Sequence, residues 1–365
     1  MAASIDDVAR TVGVSTATVS RALRGLPGVS EATRARVVAA AREMDYVVSP
    51  SASSLASGRT RTVGVVTPYS GRWFFGQVIA AVEQTLRDAG YDLLLYTLPA
   101  EHARRRFFDA LPLRRRVDGV LVLSLPLSQT EVGAIGGLGV PVGLLGARSP
   151  GLSSIRIDDV GGTRMAVEHL LALGHRRIAM IGGGSSEPTY FVVPEDRRTG
   201  YQQAMSASGI TPDPTLIVDG GFTVAGGESA MTRLLSLRER PTAVFCASDE
   251  MAFGALRAIR LAGLACPEDI SVIGFDDHEM AWLLDLSTVA QSVFSQGELL
   301  VRLLLAEIDG GQPRDLVSPL DMRLRGSTSP PGAPPVLGPM VGPLSGRAES
   351  RRGAPRAIRL DRTDA

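Results

Sequence analysis

The sequence predicts a small all-α head that a hinge segment joins to an α/β core of two parallel-sheet lobes. Residues 1–48 contain three short helical segments with little loop between them. Residues 49–60, "SPSASSLASGRT", form a serine-rich connector. From residue 61 to residue 328, short apolar runs alternate with helical stretches, which is typical of parallel strands with helices on both faces.

The three helices of the head are each expected to begin at a serine. Ser4 and Asp7 have the spacing of a capping box, and apolar residues follow at the i, i+3, i+4 and i+7 positions of one helix face. Gly13 can end this first helix, while Ser15 and Ser30 can cap the second and third. Helices this short are unstable alone, so we expect them to share one small core.

The outer face of the second helix carries small polar side chains and arginines, as the recognition helix of a helix-turn-helix does. Such a helix places its first residues in the major groove of DNA, where arginine can bind guanine and methyl groups can contact thymine. A solvated polar face on a small helical domain is the alternative. The candidate DNA contacts are Thr16, Ala17, Thr18, Ser20, Arg21 and Arg24.

The connector predicts a second contact with DNA. Ser49 followed by Pro50 is a helix-start signal, and Gly58 is a stop signal. The residues between them have poor helix propensity, so we expect this segment to be unfolded in isolation. A plain linker is one interpretation. The other is a hinge helix that forms on DNA, contacts it through Ala52 and inserts Leu55 into the minor groove.

The core contains two similar sets of strand-like runs. The first set is "TVGVVTP", "YDLLLYTL", "VDGVLVLSL" and "VPVGLL", and the second is "RRIAMIGG", "TLIVDGG", "TAVFCAS" and "DISVIGF". About 265 residues exceed one comfortable doubly wound sheet, so we expect two lobes. Because such sheets bind ligands at the carboxyl ends of their strands, the cleft between the lobes is the predicted ligand site.

Several polar and aromatic residues are placed to line this cleft. Asp249 and Asp276 each follow a strand-like run, and Arg197 lies near the start of a predicted helix. Carboxylates and a guanidinium suit the vicinal hydroxyls of a sugar, and Phe75 and Phe222 can face its ring. Helix capping by the acids and core packing of the aromatics are the alternatives.

The ionisable residues exclude several functions. All 38 basic residues are arginines, so the chain cannot form a Walker-type phosphate loop or a lysine Schiff base. The four histidines are scattered, and neither metal-ligand spacing nor a Ser-His-Asp order is visible. We therefore predict no metal, no cofactor and no enzymatic activity. A glycosidase-like pair of Asp249 and Asp276 is the main enzymatic alternative.

The composition predicts a cytoplasmic protein that does not cross a membrane. No apolar run reaches membrane-spanning length, and the first residues lack the basic and apolar regions of a secretory signal. Cys246 and Cys266 are expected to be free thiols in a reducing compartment. Residues 329–365 are rich in proline, glycine and arginine, and we expect them to be disordered.

Five segments together resemble the lactose-repressor (LacI/GalR) family of bacterial transcription regulators. They are "IDDVARTVGVSTATVSRALRG", "VSEATRARVVAAAREMDYVVSPSASSLASG", "VEHLLALGHRRIAMIGG", "CASDEMAFGALRA" and "ISVIGFDD". The resemblance covers about residues 4–328. It implies a homodimer on a pseudo-palindromic operator, paired hinge helices with both Leu55 side chains at the centre, and a core similar to periplasmic sugar-binding proteins.

The resemblance also implies a small-molecule effector site between the lobes. A sugar or sugar phosphate is the usual effector of the family, so a repressor controlled by such a molecule is expected. A corepressor-dependent regulator is the alternative, followed by a sugar-binding enzyme or transport protein. Asp159 stands where the family commonly has an asparagine. The candidate effector contacts are Phe75, Asp159, Arg197, Phe222, Asp249 and Asp276.

Overall fold

The head contains the three expected helices. The computed structural model describes residues 3–46, 58–184 and 193–332. Within the first range, α1 covers Ile5–Val12, α2 covers Thr16–Leu23 and α3 covers Glu31–Glu43.

Serine side chains cap all three helices of the head, as predicted. The carboxylate of Asp7 accepts a hydrogen bond from the Ser4 N–H at 3.0 Å, and the Ser4 hydroxyl accepts one from the Asp7 N–H. Ser15 and Ser30 each accept a hydrogen bond from the backbone N–H three residues further on. Gly13 ends α1 with a φ of 73°, a conformation that glycine adopts without strain.

One small apolar core holds the head together. Val8, Val19 and Val37, one from each helix, are fully buried against one another. Two arginines brace the helix ends, since Arg34 donates to the Ala22 carbonyl at the end of α2 and Arg36 donates to the Val12 carbonyl at the end of α1. The predicted set of three helices around a shared core is confirmed.

The first lobe is built on a six-stranded parallel sheet. Its strands are β1 Thr62–Thr67, β2 Asp92–Thr97, β3 Gly119–Leu123, β4 Val142–Leu145, β5 Ser153–Arg156 and β11 Asp315–Val317, in the spatial order β11-β5-β4-β3-β1-β2. All adjacent pairs are parallel. One face packs on α4 Trp73–Asp88 and α11 Val293–Ile308, and the other on α5 Glu101–Ala110 and α6 Gln129–Gly136.

The second lobe repeats this architecture. Its strands are β6 Ile178–Gly182, β7 Ile217–Asp219, β8 Ala243–Cys246, β9 Ser271–Asp276, β10 Ser287–Gln291 and β12 Leu320–Arg323, in the order β12-β10-β9-β8-β6-β7. The helices are α7 Asp159–Ala172, α8 Val193–Ala207, α9 Val224–Leu235 and α10 Asp249–Leu261, with a short 3-10 turn at Pro214–Leu216. The two α/β lobes of the prediction are confirmed.

The two sheets are parallel as predicted, apart from one strand at the edge of the second sheet. β12 runs antiparallel to β10 at the edge of the second sheet. The direction of the preceding strand is the reason. β11 runs toward the cleft like every strand of the first lobe, and the chain begins β12 only two residues later, so β12 must leave the cleft.

Within the described residues, the chain crosses between the lobes three times. The crossings lie at Ile157–Asp158, at Ser292 and at Ser318–Pro319, each between an element of one lobe and an element of the other. As a result α11 returns to the first lobe and packs on α4. Three short connections at one side of the cleft are the geometry of a hinge between two rigid bodies.

The chain that arrives from the head is anchored at Asp118. The carboxylate of Asp118 accepts hydrogen bonds from the Thr60 N–H at 2.7 Å, the Thr60 hydroxyl at 2.8 Å and the Arg61 N–H at 2.8 Å. Asp118 directly precedes β3, and Arg61 directly precedes β1. The anchor therefore lies at the edge of the first sheet where its strands begin.

Candidate DNA-binding surface and ligand cleft

The outer face of α2 presents most of its candidate side chains to solvent. Ala17 and Arg21 are exposed, and Thr16 and Ser20 are half-buried beside them, while Val19 and Ala22 face the core of the head. Within the described part of the chain, the Arg21 guanidinium has no ion-pair partner. This side chain is available to bind a base edge.

Two of the candidate DNA contacts also have roles inside the head. The Thr18 hydroxyl lies 2.9 Å from the Ser15 hydroxyl, and the Thr18 N–H donates to that same serine. Arg24 donates through Nε to the Ser20 carbonyl at 3.2 Å, which satisfies a carbonyl near the end of α2 and leaves the two terminal nitrogens of Arg24 for another partner. Ala52 and Leu55 lie outside the described residues.

A cavity of about 650 Å³, including the solvent at its mouth, lies between the lobes. The carboxyl ends of strands from both sheets meet there, as expected for parallel sheets. Five of the six predicted effector contacts line it: Phe75, Asp159, Arg197, Phe222 and Asp276. The structure therefore brings together residues that are up to 201 positions apart in the sequence, from Phe75 to Asp276.

Arg197 is the central cation of this cavity. It is buried, and its Nε donates to Asp159 Oδ1 at 2.8 Å while Nη1 donates to the Ala247 carbonyl. Nη1 also lies 3.8 Å from Asp276 Oδ1, and the guanidinium stands 3.6 Å above the centre of the Phe275 ring. Arg197 thus holds two carboxylates near one another on the floor of the cavity.

Asp276 lies in a chain of polar contacts. Its Oδ1 accepts a hydrogen bond from Gln291 Nε2 at 2.6 Å, and Gln291 in turn accepts one from Gln296 Nε2 at 3.1 Å. Burial raises the pKa of Asp276 to about 7, although Arg197 and the Gln291 hydrogen bond act in the opposite direction. The protonation state of this side chain therefore changes in the neutral pH range.

The backbone at Asp276 and Asp277 is strained. Their φ values are 117° and 56°, a region that residues with a Cβ rarely adopt. Asp277 is held by an ion pair with Arg325 at 2.6 Å, and Asp276 by Gln291. Strain of this kind is concentrated at ligand sites, where it aims a side chain.

Asp249 does not line the cavity, which corrects its assignment as an effector contact. Its side chain is fully buried, and it accepts hydrogen bonds from the Thr288 hydroxyl and the His278 N–H, both at 2.7 Å. A Cβ at Gly274 would lie 2.0 Å from the Asp249 carboxylate, so only glycine leaves room for it. Burial and the neighbouring Asp276 raise the pKa of Asp249 well above its usual range.

Aromatic rings form the apolar wall. Phe75 is buried at the start of α4, with Phe74 in an edge-to-face contact at 5.2 Å. Phe222 adopts a positive φ of 51° in the loop before α9 and lies against Gly183, where a Cβ would come within 2.3 Å of its ring. Gly183, the first residue after β6, therefore makes room for an aromatic side chain of the cavity.

The lobes also touch beside the cavity. Trp73 of the first lobe stacks on His278 of the second with ring centres 4.4 Å apart, and Phe253 meets the same imidazole edge-on at 5.1 Å. Burial lowers the pKa of His278, which favours its neutral form. Closing or opening the cleft must make or break this contact.

Several lining residues were not among the predictions. Ser124 and Gly146 directly follow β3 and β4, and Gln291 is the last residue of β10, so the strand-end rule that identified Asp276 could have found them. Gln296 carried no such signal, because it lies on a helix that returns to the first lobe. The other lining residues are Arg72, Phe74, Leu145, Ile157, Val193, Ser248 and Glu250.

The described residues contain neither a metal-binding cluster nor a membrane-spanning helix. In those residues, no group of three or more His, Cys, Asp or Glu side chains could hold a metal ion. None of the described helices is long and apolar enough to span a membrane.

The head and the cleft together define a ligand-responsive DNA-binding regulator. Residues 4–49 match the family model of bacterial regulatory proteins of the lacI family, and residues 167–328 match a periplasmic binding protein-like domain. The chain is 36% identical over 334 residues to the HTH-type transcriptional repressor CytR of Escherichia coli (strain K12), covering 90% of this chain and 96% of CytR. The chain belongs to the LacI family of bacterial transcription regulators.

Solved structures agree with this assignment. The lac repressor dimer bound to operator and the anti-inducer ONPF is 29% identical, with a TM-score of 0.80 over 90% of this chain and 100% of that one. The complex of the transcriptional regulator CelR with cellobiose is 33% identical, with a TM-score of 0.66 over 89% and 99% of the two chains. The predicted family, the helix-turn-helix head, the periplasmic-binding-protein-like core and the assignment as a regulator rather than an enzyme are confirmed.

Replacing Asp249 tests whether it supports the fold rather than binding a ligand. We expect Asp249→Ala to lower the free energy of unfolding by about 3 kcal/mol, because it leaves the Thr288 hydroxyl and the His278 N–H without an acceptor. Glu250→Ala, the adjacent position on the same helix, is the control and should cost much less. Denaturation followed by fluorescence measures both; equal losses would contradict the structural role of Asp249.

Proposed function

We propose that this protein represses transcription from a pseudo-palindromic operator as a homodimer, and that a carbohydrate bound in the cleft controls its affinity for DNA. The observation that carries this proposal is the cavity itself, which both lobes line with a polar floor and aromatic walls. The protein would act in the cytoplasm, where the DNA is. The alternative is that the ligand is a corepressor, which strengthens DNA binding, rather than an inducer, which weakens it.

The chemistry of the cavity favours an uncharged sugar. Hydroxyl groups can donate to Asp276 and Asp159 and accept from Arg197, while a sugar ring can lie on Phe75 or Phe222. The ionisable side chains that line it are two arginines and three acids, so an added phosphate would meet an excess of negative charge whenever Asp276 is ionised. The relative that binds cellobiose supports an unphosphorylated sugar.

The head supplies the contacts with DNA. In the proposed complex, Thr16, Ala17 and Arg21 contact base edges in the major groove. The remaining proposed contacts on the head and hinge are Thr18, Ser20, Arg24, Ala52 and Leu55.

Control is proposed to pass through the hinge between the lobes. Residues 1–48 form the DNA-binding domain, residues 49–60 the hinge segment and residues 61–328 the effector-binding and dimerisation domain. An effector that binds one lobe arrangement more tightly shifts the population of arrangements. Since Asp118 fastens the chain from the head to the first lobe, movement of that lobe in a dimer changes the spacing of the two hinge segments. No function is proposed for residues 329–365.

Arg21 is expected to determine base preference. Arg21→Ala should reduce discrimination at one base pair of each half-site by about 1–3 kcal/mol, while the salt dependence of binding stays nearly unchanged. Arg42→Ala, an exposed arginine of α3, is the control. Gel-shift titrations against operators with single substitutions measure the effect, and a uniform loss with a smaller salt slope would make Arg21 a phosphate contact.

Leu55 is expected to act at the centre of the operator. Leu55→Ala should weaken operator binding without changing the melting temperature of the core, because the side chain is needed only in the complex with DNA. Leu261→Ala, which replaces an exposed leucine on the surface of the two-lobed domain, is the control. Unchanged operator affinity of the Leu55 variant would contradict the hinge proposal.

Effector binding should depend on pH through Asp276. A sugar hydroxyl donates a stronger hydrogen bond to the ionised carboxylate than to the neutral acid, so affinity should rise through the pKa of about 7. Between about pH 6 and about pH 8 the ionised fraction increases about tenfold, and affinity should follow. A thermal-shift screen of mono- and disaccharides, each beside its phosphorylated counterpart, identifies the ligand, and calorimetry gives the pH profile.

The variant Asp276→Asn is the companion measurement. It should bind the same sugar more weakly, with a flat pH profile. If no sugar raises the melting temperature, or if only phosphorylated sugars do, the proposed effector class is wrong.

The raised pKa of Asp276 also affects the stability of the fold. As the pH rises, this stability should fall, whereas the affinity for the ligand should increase. Because the folded-state pKa of Asp276 is raised above its usual value of 3.8, the stability linked to this group is present below about pH 4 and is lost as the pH rises through about 7. The ligand-free core with Asp276→Asn should therefore lose less stability than the wild type over this pH range.

A further inference from the structure

A group of exposed arginines lies on the first lobe, outside the cleft. We call it the basic rim, and it consists of Arg105, Arg106, Arg114, Arg115 and Arg116. The first two are on α5, and the other three are consecutive in the loop that leads to β3. The exposed acids of the same stretch are Glu101 and Asp109, so five positive charges stand against two negative ones.

Most of the basic rim is unpaired. Within the described residues, Arg105, Arg106, Arg114 and Arg115 have no ion-pair partner, whereas Arg104 of the same helix is buried in an ion pair with Glu131 at 2.6 Å. The chain as a whole has no net charge, so this surface differs from the average of the protein. A concentration of unpaired arginines on one face is the electrostatic pattern of a polyanion-binding surface.

The loop presents its arginines from an ordered backbone. Leu111, Leu113 and Val117 are buried on either side of the three arginines. Leu113 packs against Gly64 of β1, where a Cβ would lie 2.7 Å from its side chain. Since the backbone is already anchored, binding through these arginines costs little backbone entropy.

The direction of the strands places the basic rim on the side of the head. Both sheets turn the carboxyl ends of their parallel strands toward the cleft, so the edges where these strands begin point away from each other. The loop of the rim ends at the beginning of β3, and Asp118, three residues after Arg115, binds the chain that arrives from the head. The corresponding edge of the second lobe is at the far end of the core.

The tether keeps DNA close to this surface. From residue 46 of the head to residue 58 of the core the chain can span at most about 40 Å. Duplex DNA carries one negative charge per about 1.7 Å of its axis, and any duplex held by the head is therefore present near the rim at high effective concentration. An acidic protein partner would have no such tether.

From this arrangement we infer that the basic rim binds phosphate groups of the DNA that flanks the operator. The core then adds a sequence-independent contact to the sequence-specific contacts of the head. Because salt screens charges beyond about 8 Å at physiological ionic strength, only arginines that reach the backbone contribute. The contact depends on the length of the duplex, which distinguishes it from contacts of the head.

The test compares operator fragments of two lengths. An operator of about 20 base pairs is obtained by selection from a random duplex library, and the longer fragment carries about ten further base pairs on each side. The rim variant combines Arg105→Gln, Arg106→Gln, Arg114→Gln and Arg115→Gln. Its matched control removes four exposed arginines from the far edge of the second lobe by Arg176→Gln, Arg233→Gln, Arg238→Gln and Arg260→Gln.

We expect the wild type and the control to bind the longer fragment more tightly and with a steeper salt dependence than the short one. The rim variant should bind both fragments alike. At about 0.9 per phosphate contact, the loss of two to four contacts per dimer lowers the slope of log affinity against log salt by roughly 2 to 4 on the longer fragment. Thermal melting of each variant checks that the fold is retained.

Two results would overturn the inference. One is equal affinity and equal salt slope of the wild type on both fragments, which would also be the outcome if the rim served an acidic protein. The other is a control variant that loses as much affinity for the longer fragment as the rim variant does. That result would mean that the net charge of the protein, and not the position of the arginines, determines binding. Binding of the short fragment depends on the head alone. A wrong proposal for the head would therefore be seen with the short fragment, and a wrong proposal for the basic rim would be seen only with the longer one.

Discussion

The guanidinium of Arg197 is the interaction on which the ligand cleft depends. It joins Asp159 at the start of α7, the carbonyl of Ala247 after β8 and Asp276 at the end of β9, and it covers the face of Phe275. A buried ion pair costs desolvation energy that its attraction only partly offsets, so such groups contribute little to stability. Burial raises the pKa of Asp159 even though Arg197 opposes this change, as it does for Asp276.

The desolvated carboxylates of Asp159 and Asp276 are therefore better explained as recognition groups than as stabilising ones. A ligand with hydroxyl groups can replace part of the solvation that Asp159 and Asp276 lost on folding. The second lobe holds both groups, and the contact of Trp73 with His278 shows that the first lobe meets the second next to them. Ligand binding and lobe arrangement are consequently linked through the same small region.

Strand direction is the second constraint, and it organises the whole core. Parallel strands bring every carboxyl end of a lobe to the cleft, so a chain that builds two such lobes must cross between them near the ligand. The crossings at Ile157–Asp158, Ser292 and Ser318–Pro319 all do so. The same rule orients β12 antiparallel and places the beginnings of β1 and β3, with Asp118, on the side of the head. The direction of the parallel strands thus determines where the ligand cleft, the hinge between the lobes and the side that faces the head are located.

The sequence by itself determined the elements of this protein and much of its site. Serine caps, helical periodicity and apolar runs are local signals, so they predicted the three head helices and the two sets of strands. Arg21 on the outer face of α2 and Asp276 at a strand end were found for the same reason. The family resemblance then related distant segments to one cleft, including Asp159.

The tertiary structure decided which strand-end residues face the ligand. Asp249 follows β8 and Asp276 ends the neighbouring strand β9, yet only Asp276 lines the cavity, because Thr288 and the His278 N–H turn the Asp249 carboxylate into the second lobe. Gln296 joined the site only because α11 crosses back to the first lobe. A local sequence pattern determines which helix or strand a residue belongs to. The residues that it contacts depend on how distant helices and strands pack, and nearby sequence carries no signal for this packing.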